Sequence, residues 1–375
     1  MPAFPASARR PARHRGTALL AAIALLFAAA CGKSSDPIVF GAAGPLKESY
    51  GQSARNGIQL AIDEANEKGG VNGRRVEVEF KDDSGNGTAA SRIAGAFVRD
   101  PRIVGVIGHV TSTPMVAAAQ VYDAGHLAAI GTSVTTPELS GASKWVFRVM
   151  PNDSVNGGTL ARFASSQGAK RALIIYENDS YGRGLAQGFE RAFTGSVIAK
   201  EPISGDDPRV DAPLAAYAKD NPDVVVGIGT EKSGLAIMRA GRKLGLKAMY
   251  IGGDGWTQIG QDTATAAGAY VGIAFTAHDN RPEAQRFVTA FRAKFHGDPD
   301  GDAALGYDAA RAMLEAARRA GSDRAGIREA LASLGKGTPL EGASGPVAFQ
   351  ASGDPAEKSL EITRVEHGTL MPVGH

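Results

Sequence analysis

The sequence has only one cysteine among its 375 residues, so no disulfide can form within the chain. It also has no marked excess of charge, with 41 basic and 39 acidic residues, and this balance gives no support for a nucleic-acid-binding protein. Without disulfides, the folded part must be stabilised by apolar burial. The length is sufficient for that and is most easily accommodated by two domains of ordinary size.

The single cysteine, Cys31, lies where an apolar run of small residues gives way to the polar segment "GKSSDP". Four arginines between positions 9 and 15 precede an uncharged run over 17–30, which is too short for a membrane span of ~20 residues. This pattern predicts a signal peptide over 1–30. Without those arginines the remainder has 37 basic and 39 acidic residues.

Residues 28–31, "AAAC", resemble the lipobox of bacterial lipoproteins, with Ala28 where leucine is most common. The resemblance implies that Cys31 becomes the lipid-modified first residue of an exported protein. Residues 31–36 would then be a tether that holds the protein to a membrane in the periplasm or at the cell surface. The alternative is ordinary cleavage near Ala30, which would leave a free thiol.

From residue 38 onward, continuous apolar runs alternate with helical patterns, as in parallel sheets covered by helices on both faces. The predicted strands include "IVFGAA", "RVEVEFKDD", "IVGVIG", "LAAIG", "ALIIYEN", "VVVGIG", "AMYIGG" and "AYVGIAF". Towards the end, "GPVAFQ" and "SLEITRVEHG" are expected to pair around the turn "ASGDPAE". The pattern predicts an α/β protein with two doubly wound lobes and a cleft between them.

In open α/β sheets, ligands bind beyond the carboxyl ends of the strands, so the loops there are the candidate site. After "IVGVIG", Ser112 or Thr113 is expected to cap a helix that begins at Pro114. After "LAAIG", Thr136 is expected to cap a second helix, with Thr135 beside it. Two hydroxyl-rich helix starts on neighbouring strands suit an anion, although capping alone explains many such patterns.

The second half of the chain places a carboxylate and aromatic rings at its own strand ends. Tyr181 follows "ALIIYEN", and Asp254 and Trp256 follow "AMYIGG", while Tyr50 lies near the start of the chain before a helix. Hydroxyl and amide donors in one lobe and a carboxylate in the other suit a zwitterion. Its carboxylate would bind the donors, and its ammonium group would bind Asp254.

These segments in their order resemble the branched-chain amino-acid binding proteins of ABC transporters, which are type I periplasmic binding proteins. The resemblance covers "GPLKESYGQSARNGIQLAIDEANEKGGVNGRRVEVEFKDDSGN", "VIGHVTST", "TSVTTPEL", "YENDSYGRGL" and "GGDGW". It implies two Rossmann-like lobes joined by three crossovers. Lobe 1 is predicted over 37–152 plus 279–344, and lobe 2 over 153–278 plus 345–375.

The resemblance also implies a binding site for the ligand's carboxylate in the first lobe. Ser112 and Thr135 match the hydroxyl groups that bind this carboxylate, with the backbone at Val110 and Val134 beside them. Thr111, in the same loop as Ser112, belongs to the predicted site as well.

For the rest of the ligand, Asp254 matches the partner of the ammonium group and Tyr181 matches a cleft tyrosine of the second lobe. Tyr50 matches a residue that lines the side-chain pocket. Two departures, Thr230 where an aromatic residue is common and Trp256 where smaller residues are common, are expected to alter that pocket. The amino acid bound is therefore left open.

An enzyme is the first alternative, but the sequence gives it little support. "GIGTEKSG" resembles a dinucleotide fingerprint, but Lys232 occupies the position of the third glycine. "DDSGNG" faintly resembles a serine-protease motif, but the sequence places no histidine to act as a base for Ser84. His109 is expected to be structural, and no cofactor or metal motif is found.

The second alternative is a ligand-sensing receptor module of the same fold for amides or small carboxylates. A lipid anchor without a signalling domain favours transport instead. On that interpretation the protein is a monomer that delivers its ligand to a membrane permease served by ATPase subunits.

Overall fold

Two separate β-sheets organise the chain from residue 37 onward in the computed structural model, which describes residues 1–4, 36–205 and 208–373. Cys31, the tether over 31–35 and nearly all of the predicted signal peptide lie outside the described residues. Among the residues that are described, no helix has the length and apolarity required to span a bilayer.

The described strands are β1 (Ile38–Gly44), β2 (Val76–Asp82), β3 (Ile103–Gly108), β4 (Ala129–Gly131), β5 (Val146–Arg148), β6 (Arg171–Glu177), β7 (Ser196–Ile203), β8 (Val224–Ile228), β9 (Met249–Gly252), β10 (Tyr270–Ile273), β11 (Leu340–Gly342), β12 (Gly345–Val347), β13 (Glu361–Glu366) and β14 (Thr369–Pro372). The described α-helices are α1 (Ser49–Glu67), α2 (Gly87–Arg99), α3 (Ser112–Ala124), α4 (Asp153–Ser166), α5 (Ser180–Ala192), α6 (Asp211–Ala218), α7 (Glu231–Lys243), α8 (Thr263–Ala266), α9 (Pro282–Phe295), α10 (Gly301–Ala320) and α11 (Arg324–Ala332).

The first lobe contains a five-stranded sheet in the order β2-β1-β3-β4-β5, and all of its strands are parallel. Every residue of β1 and β3 is buried, as expected of parallel strands covered by helices on both faces. Helix α10 is buried over most of its length and packs on α1. This close packing depends on small residues, because a Cβ atom at Gly57 would clash with the carbonyl group of Ala303.

The second lobe contains a seven-stranded sheet in the order β14-β13-β10-β9-β8-β6-β7. Strands β10, β9, β8, β6 and β7 are parallel to one another, whereas β13 is antiparallel to both β10 and β14. The chain passes between the two sheets after β5, after β10 and between β12 and β13. The two-lobed α/β fold with three crossovers is the one predicted.

Some predicted pairings at the carboxyl-terminal end are wrong. Strand β12, from "GPVAFQ", pairs with β11, and β13, from "SLEITRVEHG", pairs with β10 and β14. An isolated bridge between Phe349 and Pro355 joins "GPVAFQ" only to the turn "ASGDPAE". Val347 and Phe349 pack in the core of the first lobe. The structure therefore places residues 345–349 with lobe 1, and the chain joins the second sheet only at β13.

Trp256 lies at the centre of the second lobe's core and is completely buried. Its indole ring fits against the backbone of three glycines, Gly227, Gly234 and Gly252, where an added Cβ atom would come under 3.0 Å from the ring. Packing this tight leaves no room for a side chain on any of these glycines.

We expect Gly252→Ala to lower the free energy of unfolding by about 1–3 kcal/mol, because the added methyl group must displace the Trp256 ring. Urea unfolding followed by tryptophan fluorescence measures this change. Gly297→Ala is the matched control, because a Cβ atom there meets no atom within 4 Å. Equal stability of the two variants would contradict the packing around Trp256.

Candidate functional site

A cavity of about 860 Å³ lies between the lobes at the carboxyl ends of both parallel sheets. Loops after β1, β2, β3 and β4 line it from the first lobe, together with the start of α10, and loops after β6, β7, β8 and β9 line it from the second. Of the residues predicted for the site, the cavity wall includes Tyr50, Thr111, Ser112, Tyr181, Thr230 and Asp254.

Ser112 begins α3 and joins the two hydroxyl-rich loops of the first lobe. Its Oγ atom accepts hydrogen bonds from the backbone N–H groups of Thr135 and Thr136, at 3.2 Å each. Helix α3 begins earlier than predicted, with Thr111 as its N-cap residue, so that Pro114 is the third helical residue. The N-terminal N–H groups of this helix lie at the cavity wall.

Thr135 lies directly behind this wall and is completely buried, so its side chain does not line the cavity. Its carbonyl oxygen accepts a hydrogen bond from the N–H group of Asp153 at 2.8 Å, which ties the loop to the first crossover. The predicted helix after this loop is only a short 3₁₀ turn, Pro137–Leu139, with Thr136 as its cap. Ser133, which the sequence analysis missed, is the residue of this loop that lines the cavity.

Asp254 follows β9 and is one of the acidic residues of the second lobe's wall. It lies at the start of a 3₁₀ turn, and its Oδ1 atom is buried without a hydrogen-bond partner among the described residues. Burial raises the pKa of Asp254 to about 6, against the opposing effect of backbone and Tyr181 hydrogen bonds. The Tyr181 hydroxyl group also accepts a hydrogen bond from the N–H group of Gly255 at 3.3 Å.

A second carboxylate, that of Asp153, is buried behind the cavity at the start of α4. Both of its oxygens lack a hydrogen-bond partner within the described ranges, and the residue has no exposed surface. Burial and the nearby charge of Asp254 raise the pKa of Asp153 well above its usual range. In the sequence, Asp153 is one of many acidic residues at helix starts, and nothing local distinguishes it.

Glu177, at the end of β6, organises the loop that contains Thr230. One carboxylate oxygen accepts hydrogen bonds from the Thr230 N–H group at 2.9 Å, the Thr230 hydroxyl at 3.0 Å and the Ser233 hydroxyl at 2.6 Å. Thr230 lines the cavity. Its hydroxyl group already has a hydrogen-bond partner in the second lobe, the carboxylate of Glu177. The sequence analysis missed Glu177, although its position at a strand end was a usable signal.

Three predicted residues have their side chains in the protein core, although the prediction for Val110 and Val134 concerned only their backbone. Val110 and Val134 are buried in the first lobe, and the carbonyl group of Val110 is bonded to the N–H group of Ser133. Trp256 is buried against its three glycines and does not alter the side-chain pocket directly. These residues follow strand ends, but their side chains point to the apolar side of their loops.

His109 is structural, as predicted. It is completely buried, and its ring nitrogens bond the carboxylate of Asp83 at 2.5 Å and the hydroxyl group of Tyr122 at 3.1 Å. Within the described ranges, no three His, Cys, Asp or Glu side chains are grouped closely enough to hold a metal ion.

Hydrogen bonds between described residues also cross the cleft away from the crossovers. The N–H group of Ser180 donates to the Thr113 hydroxyl at 3.4 Å, and the Gln258 amide donates to the Asp300 carboxylate at 2.7 Å. Asp300 also accepts a hydrogen bond from Ser53 in the first lobe. The lobes therefore already touch at both sides of a cavity that remains large enough for a small organic molecule.

Comparison with known proteins assigns this architecture to a family. The family model described as periplasmic binding protein matches residues 38–369. The leucine-, isoleucine-, valine-, threonine- and alanine-binding protein of Pseudomonas aeruginosa is 27% identical over 356 residues, covering 91% of this chain and 93% of that protein.

Solved structures show the same fold. The branched-chain amino acid transporter substrate-binding protein LivJ of Streptococcus pneumoniae, in complex with isoleucine, gives a TM-score of 0.83 at 25% identity, with 90% of this chain and 99% of that chain covered. An ABC transporter substrate-binding protein of Desulfitobacterium hafniense, in complex with leucine, gives a TM-score of 0.79 at 28% identity, with 90% and 100% covered.

The raised pKa of Asp254 predicts a pH-dependent stability of the ligand-free protein. The folded protein holds this proton more tightly than the unfolded chain, so the free energy of unfolding falls as the pH rises from about 4 to about 6. Asp254→Asn should therefore be more stable than the wild type at pH 7.5, by about 3 kcal/mol, and equally stable near pH 4.

Thermal unfolding of both proteins without ligand, at several pH values between 4 and 7.5, measures this difference. Asp211→Asn, which changes an exposed residue of the same lobe, is the control. If the two proteins are equally stable at pH 7.5, or if their difference in stability does not change with pH, Asp254 is not a desolvated carboxylate.

Proposed function

Because this chain belongs to the periplasmic binding protein family, we propose that it binds the zwitterion of a small amino acid in the cleft between its lobes. The observation that carries the proposal is Asp254, a carboxylate in the second lobe's wall with a buried oxygen that has no partner among the described residues. Opposite it, the first lobe presents the N-terminus of α3 with Ser112. The ligand's ammonium group binds Asp254, and its carboxylate binds Ser112 and the N-terminus of α3.

The hydrogen bonds of Ser112 support a carboxylate ligand on the first lobe. A serine hydroxyl has one donor and two acceptor positions, and two backbone N–H groups already take up the acceptor positions. The hydroxyl hydrogen is then left to donate to an anion in the cavity. The N-terminal N–H groups of α3 add further donors and the favourable end of the helix dipole.

The relatives support an amino acid as the class of ligand. One is named for leucine, isoleucine, valine, threonine and alanine, and the structural neighbours hold isoleucine and leucine. Three or four charge-assisted hydrogen bonds, each of ~1.5–3 kcal/mol, could approach the ~8 kcal/mol of a micromolar complex after the costs of ordering. A binding role accounts for the cleft without any catalytic group.

The protein acts outside the cytoplasm, as the family does, and on our proposal it is the solute-binding component of an ABC transporter. The lobes close over the amino acid as a monomer, and the closed form delivers it to a membrane permease driven by ATPase subunits. One structural neighbour has the name of an ABC transporter substrate-binding protein. Lipid attachment at Cys31 then holds the protein at the membrane surface where the permease lies.

Calorimetry of the mature protein with the L-amino acids tests the binding proposal. At least one should bind with a micromolar or lower Kd, and its decarboxylated and N-acetylated analogues should bind about 100-fold more weakly, because each lacks one charge. Asp254→Asn should weaken binding by about 10–100-fold, whereas Asp211→Asn should not change it. A Kd that stays the same when either charge of the ligand is removed would refute the proposal.

Labelling with radioactive palmitate in a bacterial host tests the lipid anchor. The wild type should incorporate the label and sediment with membranes, whereas Cys31→Ser should be unlabelled and appear in the soluble extracytoplasmic fraction. Ser34→Ala, in the same predicted tether, is the control. An unlabelled wild type would favour ordinary signal cleavage near Ala30.

A further inference from the structure

The cavity wall has a strong excess of negatively charged side chains and few aliphatic ones. Among the described residues it contains one basic side chain, Lys232, and one branched aliphatic side chain, Ile203. Its acidic residues are Glu48, Glu177, Asp179, Glu231, Asp254 and Asp302. An aliphatic ligand is bound mainly by hydrophobic side chains, whereas this wall has six carboxylates and a single branched aliphatic side chain among the described residues.

Three of the six acidic residues have roles or positions that need no ligand. Glu177 binds the start of α7 through Thr230 and Ser233, and Asp179 caps α5 by accepting a hydrogen bond from the Gly182 N–H group at 2.7 Å. Glu48 is exposed to solvent. The residues left without such an explanation are Asp254, Glu231 and Asp302.

Asp302, the second residue of α10 in the first lobe, is 7% exposed. One of its oxygens accepts a hydrogen bond from the Ser133 hydroxyl, and the other has no bonded partner among the described residues. Burial and the charge of Asp300 raise the pKa of Asp302 well above its usual range, and Glu231 and Asp254 add to the shift. Asp302 is thus a cavity-lining carboxylate in an already negative field.

Glu231, the first residue of α7 in the second lobe, faces the same part of the cavity. It accepts a hydrogen bond from the Gln258 N–H group at 3.3 Å, and burial raises its pKa. Tyr50 lies close to both residues: burial raises the pKa of its phenol group, and the charges of Glu48, Asp302 and Glu231 raise it further. Carboxylates from opposite lobes therefore line the same cavity as Tyr50.

The helix dipole alone gives a partial reason for acidic residues in the first turns of α7 and α10. That effect is available to an exposed side chain, in which the charge remains hydrated. Asp302 is instead buried against a cavity and surrounded by like charges, which opposes the benefit of the dipole. The position of Asp302 therefore favours a partner that supplies positive charge.

We infer that the preferred ligand is an amino acid whose side chain ends in a cation, which Asp302 and Glu231 bind from opposite lobes near Tyr50. This inference depends on the proposed function, in which Asp254 and the start of α3 bind the ammonium and carboxylate groups common to all amino acids. A neutral aliphatic side chain would remove water from these carboxylates and offer them no hydrogen bond in return. An ammonium or guanidinium group supplies both opposite charge and donors.

Calorimetry with lysine and norleucine tests the inference, because the two have side chains of similar length and differ in the terminal cation. We expect lysine to bind the wild type at least about ten-fold more tightly than norleucine, and arginine to share the preference. Asp302→Asn and Glu231→Gln each keep the side-chain shape. Each should reduce the ratio of the lysine affinity to the norleucine affinity by about ten-fold. Glu67→Gln, an exposed residue at the end of α1, should leave the ratio unchanged.

Thermal unfolding of each variant checks that it is folded. If Asp302→Asn does not fold, the wild-type ratio and Glu231→Gln still decide the outcome. Norleucine or leucine binding more tightly than lysine, or a ratio that both variants leave unchanged, would overturn the inference and leave amino-acid binding intact. Binding of no amino acid at all, whatever its side chain, would instead refute the proposed function itself.

Discussion

Buried negative charge without a positive partner is the constraint around which the cleft is built. Asp153, Asp254 and Asp302 all have pKa values raised first of all by burial, and the charges of other carboxylates raise the pKa values of Asp153 and Asp302 further. Such groups reduce the stability of an empty protein, so they must be held in place by rigid surroundings. The two large apolar cores provide these surroundings, and a ligand that supplies positive charge relieves the repulsion.

Much of this architecture could be predicted from local sequence. Continuous apolar runs such as "IVGVIG" identify strands covered on both faces, and in an open α/β sheet the residues after such strands lie at one edge. This reasoning led to Ser112, Tyr181 and Asp254, all of which line the cavity. The family and the two-lobed fold, predicted from the order of several segments, are likewise confirmed.

Other features depend on contacts that no local pattern contains. Strand β5 has only three residues, and β7 is an edge strand with an exposed lysine and a half-buried glutamate, so neither has the apolar run of a central strand. Trp256 is buried because three glycines distant in sequence make room for its ring. In the same way, Asp153 and Asp302 look like ordinary acidic residues at helix starts, and only their burial in the folded protein distinguishes them.

The location of Glu231 and Asp302 in the first turns of their helices has an evolutionary consequence. These two residues line the cleft, whereas other residues of the same helices, such as Ile237 of α7 and Met313 of α10, build the apolar cores of the lobes. After gene duplication, one paralogue could exchange these two side chains and acquire a different nutrient while keeping both cores unchanged. Ligand preference in such a scaffold can therefore diverge in a few mutational steps, without first passing through misfolded intermediates.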